Sequence, residues 1–425
     1  MIIRQWSFVL VSRSPLRIGA DDGELLQDDE GRPFLPGTSW AGACRAYMTA
    51  MDPSCHEWFG TQGKGGIQQP SRLMFSDGIC ETPRPFEVRP RVALDRATKT
   101  VQKQKFEQMM VAAGTRFRVK LTLRSDAGKD VRNDNQAEAE KKLVETMLAA
   151  LHRGYIRLGA NKSTGGGKFE IEDGRYVEYD CSVRADLEAY VEQSKTGNPW
   201  RPSEDARFDM LEVAISGELV SPLLIAGPYP HDSSKPDRSP VQSSQDGEKL
   251  YIIPGTSFKG ALRHQTARVI RAIGADPGLE EYMYNGRLFL EDIALEEPKT
   301  KVYHRLAINP LTGGYKDGAL VEEETVTGRF STTLLLKYAD HEVKDRAVAA
   351  LLLLALRDIS AGRQTLGSGE GIGRGEVRLR EVRMSLGRER TVTIDFANRR
   401  IDDPNKWLDA WQEALDQSTR EDETA

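Results

Sequence analysis

The chain has 425 residues, enough for two or three domains at roughly 100–200 residues each. Hydrophobic residues make up 39% and charged residues 29%, an ordinary globular balance, and no run reaches the roughly 18 apolar residues a membrane helix needs. The net charge of −5 weighs against a uniformly basic nucleic-acid binder, because phosphate affinity comes from Lys and Arg.

Taken in chain order, the N-terminal stretch MIIRQWSFVLVSRS alternates like a strand and has no small-residue cleavage site. It is expected to open the fold as a strand, not to act as a signal peptide. Residues 36–45, PGTSWAGACR, read as a turn running into a helix. RLMFSDGICE (72–81), RVALDRAT (91–98) and the alternating strand RFRVKLTL (116–123) follow. A helical pattern, QAEAEKKLVETMLAALHRG (136–154), leads into the glycine-rich loop LGANKSTGGGKFEIE (158–172).

The same series then recurs. PGTSFKGALR (254–263) matches PGTSWAGACR at seven of ten positions, 218 residues downstream. RLFLEDIALE (287–296), RLAINPLT (305–312), RFSTTLLLKY (329–338), EVKDRAVAALLLLALRDIS (342–360) and LGSGEGIGRGEVRLR (366–380) follow in the same order. Five matched features indicate a duplication, and each half is too long for a solenoid unit. The run AVAALLLLAL (347–356) reads as a buried helix.

One half therefore reads strand, helix, strand, long insertion, strand, helix, glycine loop, strand. The fold class this order predicts is α+β, two tandem ferredoxin-like (RRM-like) domains. Expected bounds are 1–195 for the first domain, 196–207 for a Pro-containing polar linker and 208–385 for the second. Residues 386–425 remain as an acidic C-terminal helix and tail. From 402 to 425 that tail carries eight acids against two bases, so the rest of the chain stands at +1 and can still hold a basic groove. Its amphipathic stretch, with Leu408, Trp411 and Leu415 at helical spacing, is expected to pack on the second domain.

Four cysteines form no CxxC pair, and six scattered histidines complete no zinc pattern. A reducing, cytoplasmic setting without a structural metal is expected. In each PGTS segment, Ser or Thr ahead of the helix reads as an N-cap, and exposed N–H groups there attract anions. Lys259 and Arg263 lie four apart and face one way. The glycine loops lack the Walker A spacing. They also sit between a helix and a strand, the reverse of the dinucleotide fingerprint. They are either flexible hairpins or loops whose bare backbone admits a sugar-phosphate chain, with Lys162, Lys168 and Arg374 supplying charge.

The doubled PGTS helices, ferredoxin-like elements and closing LGxxxxxGxG loops resemble the RAMP superfamily of CRISPR–Cas proteins. The resemblance is closest to the backbone subunit of type III effector complexes. Duplication resembles the fused double-backbone subunits of type III-D systems. It spans about residues 1–175 and 208–385. The resemblance implies a cytoplasmic subunit that binds a crRNA guide, pairs it with target RNA and assembles with other type III subunits in a filament-like complex. No membrane is involved. It implies RNA contacts at Thr38, Ser39, Arg45, Lys162, Ser163, Lys168, Thr256, Ser257, Lys259, Arg263, Ser368 and Arg374. It also implies thumb hairpins at 89–113 and 303–324, with Arg91, Leu94, Arg305 and Ile308 near bases of the duplex and Val92 and Leu306 as further apolar wedges. Ordinary strand burial is the other reading of those apolar residues.

The family cuts target RNA with a divalent cation, Mg²⁺ or similar, through an Asp ahead of the PGTS helix. Aligned on Asp28, that position is Asp22, beside Asp21. In the second half Asp237, followed by Ser-Pro-Val, and Asp246, eight residues before Pro254, are the candidates, with Asp232 further off. Asp22 and Asp246 are the expected metal ligands. Two alternatives stay open: a non-catalytic guide-binding scaffold, and a nuclease that processes guide precursors. The latter is disfavoured because His231 is the one His in either loop.

Overall fold

A computed structural model describes residues 1–19, 24–60, 70–91, 106–125, 134–204, 209–229, 234–245, 247–387 and 390–420. The first repeat begins with strand β1 (Ile2–Ser12), helix α1 (Gly37–Met51), and short strands β2 (Leu73–Phe75) and β3 (Ile79–Thr82). A hairpin follows, β4 (Phe86–Arg91) with β5 (Phe106–Val111), then β6 (Arg116–Ser125), α2 (Asp134–His152) and β7 (Phe169–Asp180). Its main sheet runs β2-β6-β1-β7, which is the ferredoxin order with the first strand inside.

Period-two alternation explains how β1 serves that position. Trp6, Phe8 and Leu10 point to one face and are fully buried. They meet Trp40, Cys44 and Met48 of α1 and Met147, Leu148 and Leu151 of α2 in one core. Each such side chain contributes roughly 1.5–3 kcal/mol on burial.

Helix α3 (Arg184–Glu192) and the two-residue strand β8 (Asn198–Pro199) lie in the stretch between repeats. The expected linker is thus partly structured. β8 pairs with β7, and the Trp200 indole donates to Glu145 at 3.1 Å. A free edge on β7 and an amphipathic Trp outweigh the polar composition there.

In the second repeat come β9 (Met210–Leu219), β10 (Gln242–Gln245), β11 (Glu248–Ile253), α4 (Gly255–Ile273), α5 (Gly278–Tyr284), β12 (Leu288–Phe289) and β13 (Ile293–Ala294). The long hairpin strands β14 (Glu296–Ile308) and β15 (Tyr315–Lys337) precede α6 (Val343–Ser360) and β16 (Val377–Leu386). The sheet order β12-β15-β9-β16 repeats that of the first domain. Leu211, Val213 and Ile215 alternate inward and pack on Phe258 and Leu262 of α4 and on Leu351 and Leu352 of α6. The apolar run 347–356 is inside α6, as its composition predicts. Among the described residues no helix is long and apolar enough to cross a membrane.

Beyond β16, strands β17 (Arg390–Asp395) and β18 (Arg400–Asp402) extend the second sheet. Helix α7 (Trp407–Arg420) closes its core. Trp411 and Leu415 are buried, and the Trp411 indole donates to the Tyr338 hydroxyl at 2.9 Å. The amphipathic tail packs on the second domain as expected.

Candidate functional site

The two PGTS segments start their helices in an unexpected way. The N-cap of α1 is Pro36 and that of α4 is Pro254, and neither has a side-chain cap from its own segment. Thr38, Ser39, Thr256 and Ser257 already lie in the first turn. The caps arrive from downstream: Gly37 N donates to Asp77 Oδ1 at 2.7 Å, and Gly255 N donates to Asp292 Oδ1 at 2.9 Å. A carboxylate at a helix N-terminus is favoured by both hydrogen bonding and the helix dipole. Glycine is needed beside each Pro because an added Cβ would lie 2.4 Å from the Phe75 carbonyl or 2.9 Å from that of Glu291. The signal was present in the repeat itself, where SDGICE and EDIALE align Asp77 with Asp292.

Each glycine loop closes on itself in the same way. Leu158 N donates to Gly167 O, and Leu366 N donates to Gly375 O. At Gly167 and Gly375 φ is positive, and a Cβ would lie 1.8 Å from that same Leu carbonyl. Only glycine fits either position.

The two loops differ in what covers them. The first rests on the second repeat rather than serving its own PGTS helix alone. Thr164 forms a parallel bridge with Leu290, and Lys259 Nζ donates to the Ser163 carbonyl at 3.3 Å and to the Leu288 carbonyl at 2.9 Å. Arg157 and Lys168 both reach Glu291, at 3.0 and 3.1 Å. From the base of the first hairpin, Arg89 reaches Asp292 at 2.8 Å and the Ser243 hydroxyl at 2.8 Å. Glu87 accepts from Ser244 N at 2.7 Å. Lys162 stays exposed, near enough to α1 to oppose the burial that pushes the Cys44 thiol up to about 12.

These contacts enclose a cavity of about 60 Å³ between the repeats, lined by Arg91, Gly165, Gly166, Thr256, Ser257 and Asp292, among others. That is room for a few waters or a group the size of phosphate. Beyond its place in the β4–β5 ladder, Arg91 makes no side-chain hydrogen bond or ion pair to another described residue. Burial and the neighbouring Arg89 lower its pKa, against the pull of Asp292. A half-buried guanidinium beside bare glycine backbone suits an anion, while the start of α4 at the same cavity is already capped by the Asp292 carboxylate.

The other expected cations are mostly committed. Lys259 is 8% exposed, and burial, with help from Arg263 and Arg157, brings its pKa down to about 8. Arg263 pairs with Glu280 at 2.6 Å and lies over the Tyr284 ring. Arg45 contacts His56. Arg374 is buried and reaches Glu323 at 2.8 Å, while the Ser368 hydroxyl donates to Leu224 O. Lys259 and Arg374 therefore act inside the fold, in contrast to the sequence reading of both as direct RNA contacts. Their spacing is right, but carbonyls and a carboxylate of the same chain already fill the places next to them.

Both inserted hairpins form. In the second, Leu306, Ile308 and Leu311 are 56%, 68% and 94% exposed, which removes strand burial as their role. Arg305 pairs with Glu323 at 3.3 Å. Leu94 and Val92 lie outside the described residues, as do Asp21, Asp22, His231, Asp232 and Asp246. Asp28 forms a turn, accepting from Glu30 N and Arg32 N, and those bonds with the Arg32 guanidinium hold its pKa below the usual range. Asp237 accepts from Glu322 N at 2.8 Å through Oδ2, and its other oxygen has no hydrogen bond among the described residues. No group of three His, Cys, Asp or Glu able to hold a metal occurs among the described residues.

This geometry, doubled, belongs to a known class. The RAMP superfamily pattern matches residues 9–170 and again 217–378. The chain is a member of the RAMP superfamily, carrying two of its domains in tandem. Among curated proteins it is similar to "CRISPR system Cms endoribonuclease Csm3" of Methanocaldococcus jannaschii. The two are 25% identical over 187 residues, which span 38% of this chain and 72% of the relative.

Proposed function

We propose that the chain is a backbone subunit of a type III CRISPR effector complex that binds the crRNA guide and cleaves target RNA paired with it. The strongest support is the inter-repeat cavity. There a glycine loop, the start of a PGTS helix and Arg91, whose side chain has no hydrogen bond or ion pair among the described residues, converge on a space that fits a phosphate. Arg91 would donate to a guide phosphate, with Thr256 and Ser257 hydroxyls and the 164–166 backbone positioning it. Ser39, Thr38 and Lys162, exposed or half-exposed in the first repeat, would grip a neighbouring phosphate.

Assembly follows from the same contact. The first loop is covered by the second repeat, while residues 367, 368 and 370–373 of the second loop are exposed, as is Thr38 on the first PGTS helix. One chain thus leaves one open loop and one open helix start. A head-to-tail contact of that kind builds an open filament unless its rotation closes a ring. Other effector subunits are expected at both ends.

Cleavage would rest on the acidic segments ahead of the PGTS helices, Asp22 in the first repeat and Asp237 or Asp246 in the second. Carboxylate oxygens suit Mg²⁺, and with no three-ligand cluster among the described residues, RNA phosphates would have to complete the ligand set. When bound, such a cation supplies charge neutralisation at the scissile phosphate. The chain's own part is to fix the guide, splay the duplex at the exposed Leu306, Ile308 and Leu311, and hold the carboxylate beside the opened step. Sequence choice is left to base pairing.

The test is purification of the chain from cells with its native array, followed by sequencing of co-purified RNA. Guide-length RNA sharing one repeat-derived end is expected. Recovery of bulk cellular RNA in proportion to abundance contradicts the reading.

A further inference from the structure

We propose that Glu323 is a positioning residue for cleavage by the second repeat. Its role is to clip the acidic pre-PGTS segment to the base of the long hairpin. This inference rests on the cleavage reading above.

Glu323 lies on β15, is 3% exposed, and receives three arginines from three separate elements. Arg374 comes from the second glycine loop at 2.8 Å, Arg305 from β14 at 3.3 Å, and Arg238 from the pre-PGTS segment at 3.4 Å. Arg374 also lies 5.3 Å over the Tyr303 ring. One buried carboxylate meets three guanidiniums, with the carboxylates of Glu322, Glu324 and Asp237 on the adjoining residues. The hydrogen bond and charge of Arg374 hold Glu323 below the usual carboxylate range, against the opposing push of burial.

The backbone repeats the same joint. Arg238 N donates to Glu322 O at 3.1 Å, and Glu324 N donates to Arg238 O at 2.8 Å, a one-residue parallel bridge centred on Glu323. Asp237 Oδ2 accepts from Glu322 N. The segment is therefore held at three consecutive residues of β15, with Asp237 exposed and its Oδ1 without a hydrogen bond among the described residues. In the first repeat the hairpin register puts the neutral Gln108 in the place of Glu323, and Gln108 accepts from Asn161 of the first glycine loop at 3.0 Å. Among the described residues, a carboxylate gathering arginines at this place occurs in the second repeat and not in the first.

The experiment compares wild type, Glu323→Gln and Glu323→Asp in the assembled complex with guide and target RNA. It maps each cut and titrates Mg²⁺. In Glu323→Gln the cut assigned to the second repeat is expected to slow tenfold or more and to need more Mg²⁺. The other cut and the amount of bound guide stay the same, and Glu323→Asp restores part of the rate. Equal loss at both cuts, or loss of bound guide, overturns the inference by showing a general folding role. Normal cutting by Glu323→Gln overturns it while leaving the cleavage reading intact. A wild-type complex that pairs guide and target but makes no cut overturns both.

Discussion

The two repeats spend the same arginine differently. Arg91 and Arg305 occupy matching positions, 214 residues apart, at the start of the thumb segment. In the first repeat the neutral Gln108 stands in the place of Glu323, and the Arg91 side chain, with no hydrogen bond or ion pair among the described residues, lines the space between domains. In the second, Glu323 takes up Arg305 together with Arg238 and Arg374. A similar asymmetry governs the glycine loops. The first is tied down by Arg157, Lys168 and Lys259, and the aligned second-loop positions Thr365 and Glu376 carry none of that charge. Duplication copied the backbone, while the side chains diverged into one inner joint and two open ends.

The aligned caps Asp77 and Asp292 give the sharpest way to break this comparison. Asp77 caps α1, whereas Asp292 caps α4 and also pairs with the buried Arg89. Asp292→Ala is expected to cost about 3 kcal/mol, near the lower figure for breaking a buried pair, because Arg89 keeps Glu87. Asp77→Ala should cost about 1 kcal/mol, the usual value of a lost cap. Chemical denaturation of both variants checks this, and equal losses would remove the joint from the account.

Next in size is the effect on RNA. Arg91→Ala should weaken guide binding about tenfold or more, since a hydrogen bond to a charged group is worth about 1.5–3 kcal/mol. It should also lower the salt slope of binding by roughly one. Arg305→Ala should do less on both counts, because Glu323 already holds its guanidinium. Binding titrations at several salt concentrations separate the two.

A further effect is pH-dependent. Lys259 has its folded pKa near 8, below the ordinary lysine value of 10.5. Between those values the unfolded chain binds more protons than the folded one, so the lysine's contribution to stability rises with pH. Below pH 8 the burial penalty is fully present. The stability difference between wild type and Lys259→Met should shift in favour of wild type by up to about 1.4 kcal/mol per pH unit through that window. A difference that stays flat from pH 8 to 10 contradicts the burial of a titrating ammonium.

Much of the fold was legible because periodicity repeats. The alternation of Trp6, Phe8 and Leu10, and the matched order of five motifs, suffice for two ferredoxin-like sheets. Pattern cannot show which surfaces of one repeat meet the other. Lys259 reads as a solvent cation by its spacing to Arg263, and only the approach of Ser163 and Leu288 carbonyls makes it a buried joint. The Ser and Thr of PGTS look like caps because they precede a helical run. Pro36 and Pro254 shift the helix start, and an Asp some 40 residues on takes the capping place in α1. The three arginines on Glu323 come from positions 238, 305 and 374, too far apart for any local motif to join them.

The most direct test of the account is a cut map of target RNA in the assembled complex with Asp22→Ala, Asp237→Ala and Asp246→Ala made singly. The expected result is that Asp22→Ala abolishes one cut and that one of the two second-repeat substitutions abolishes another, with guide and target still bound. Survival of every cut in all three variants would contradict it.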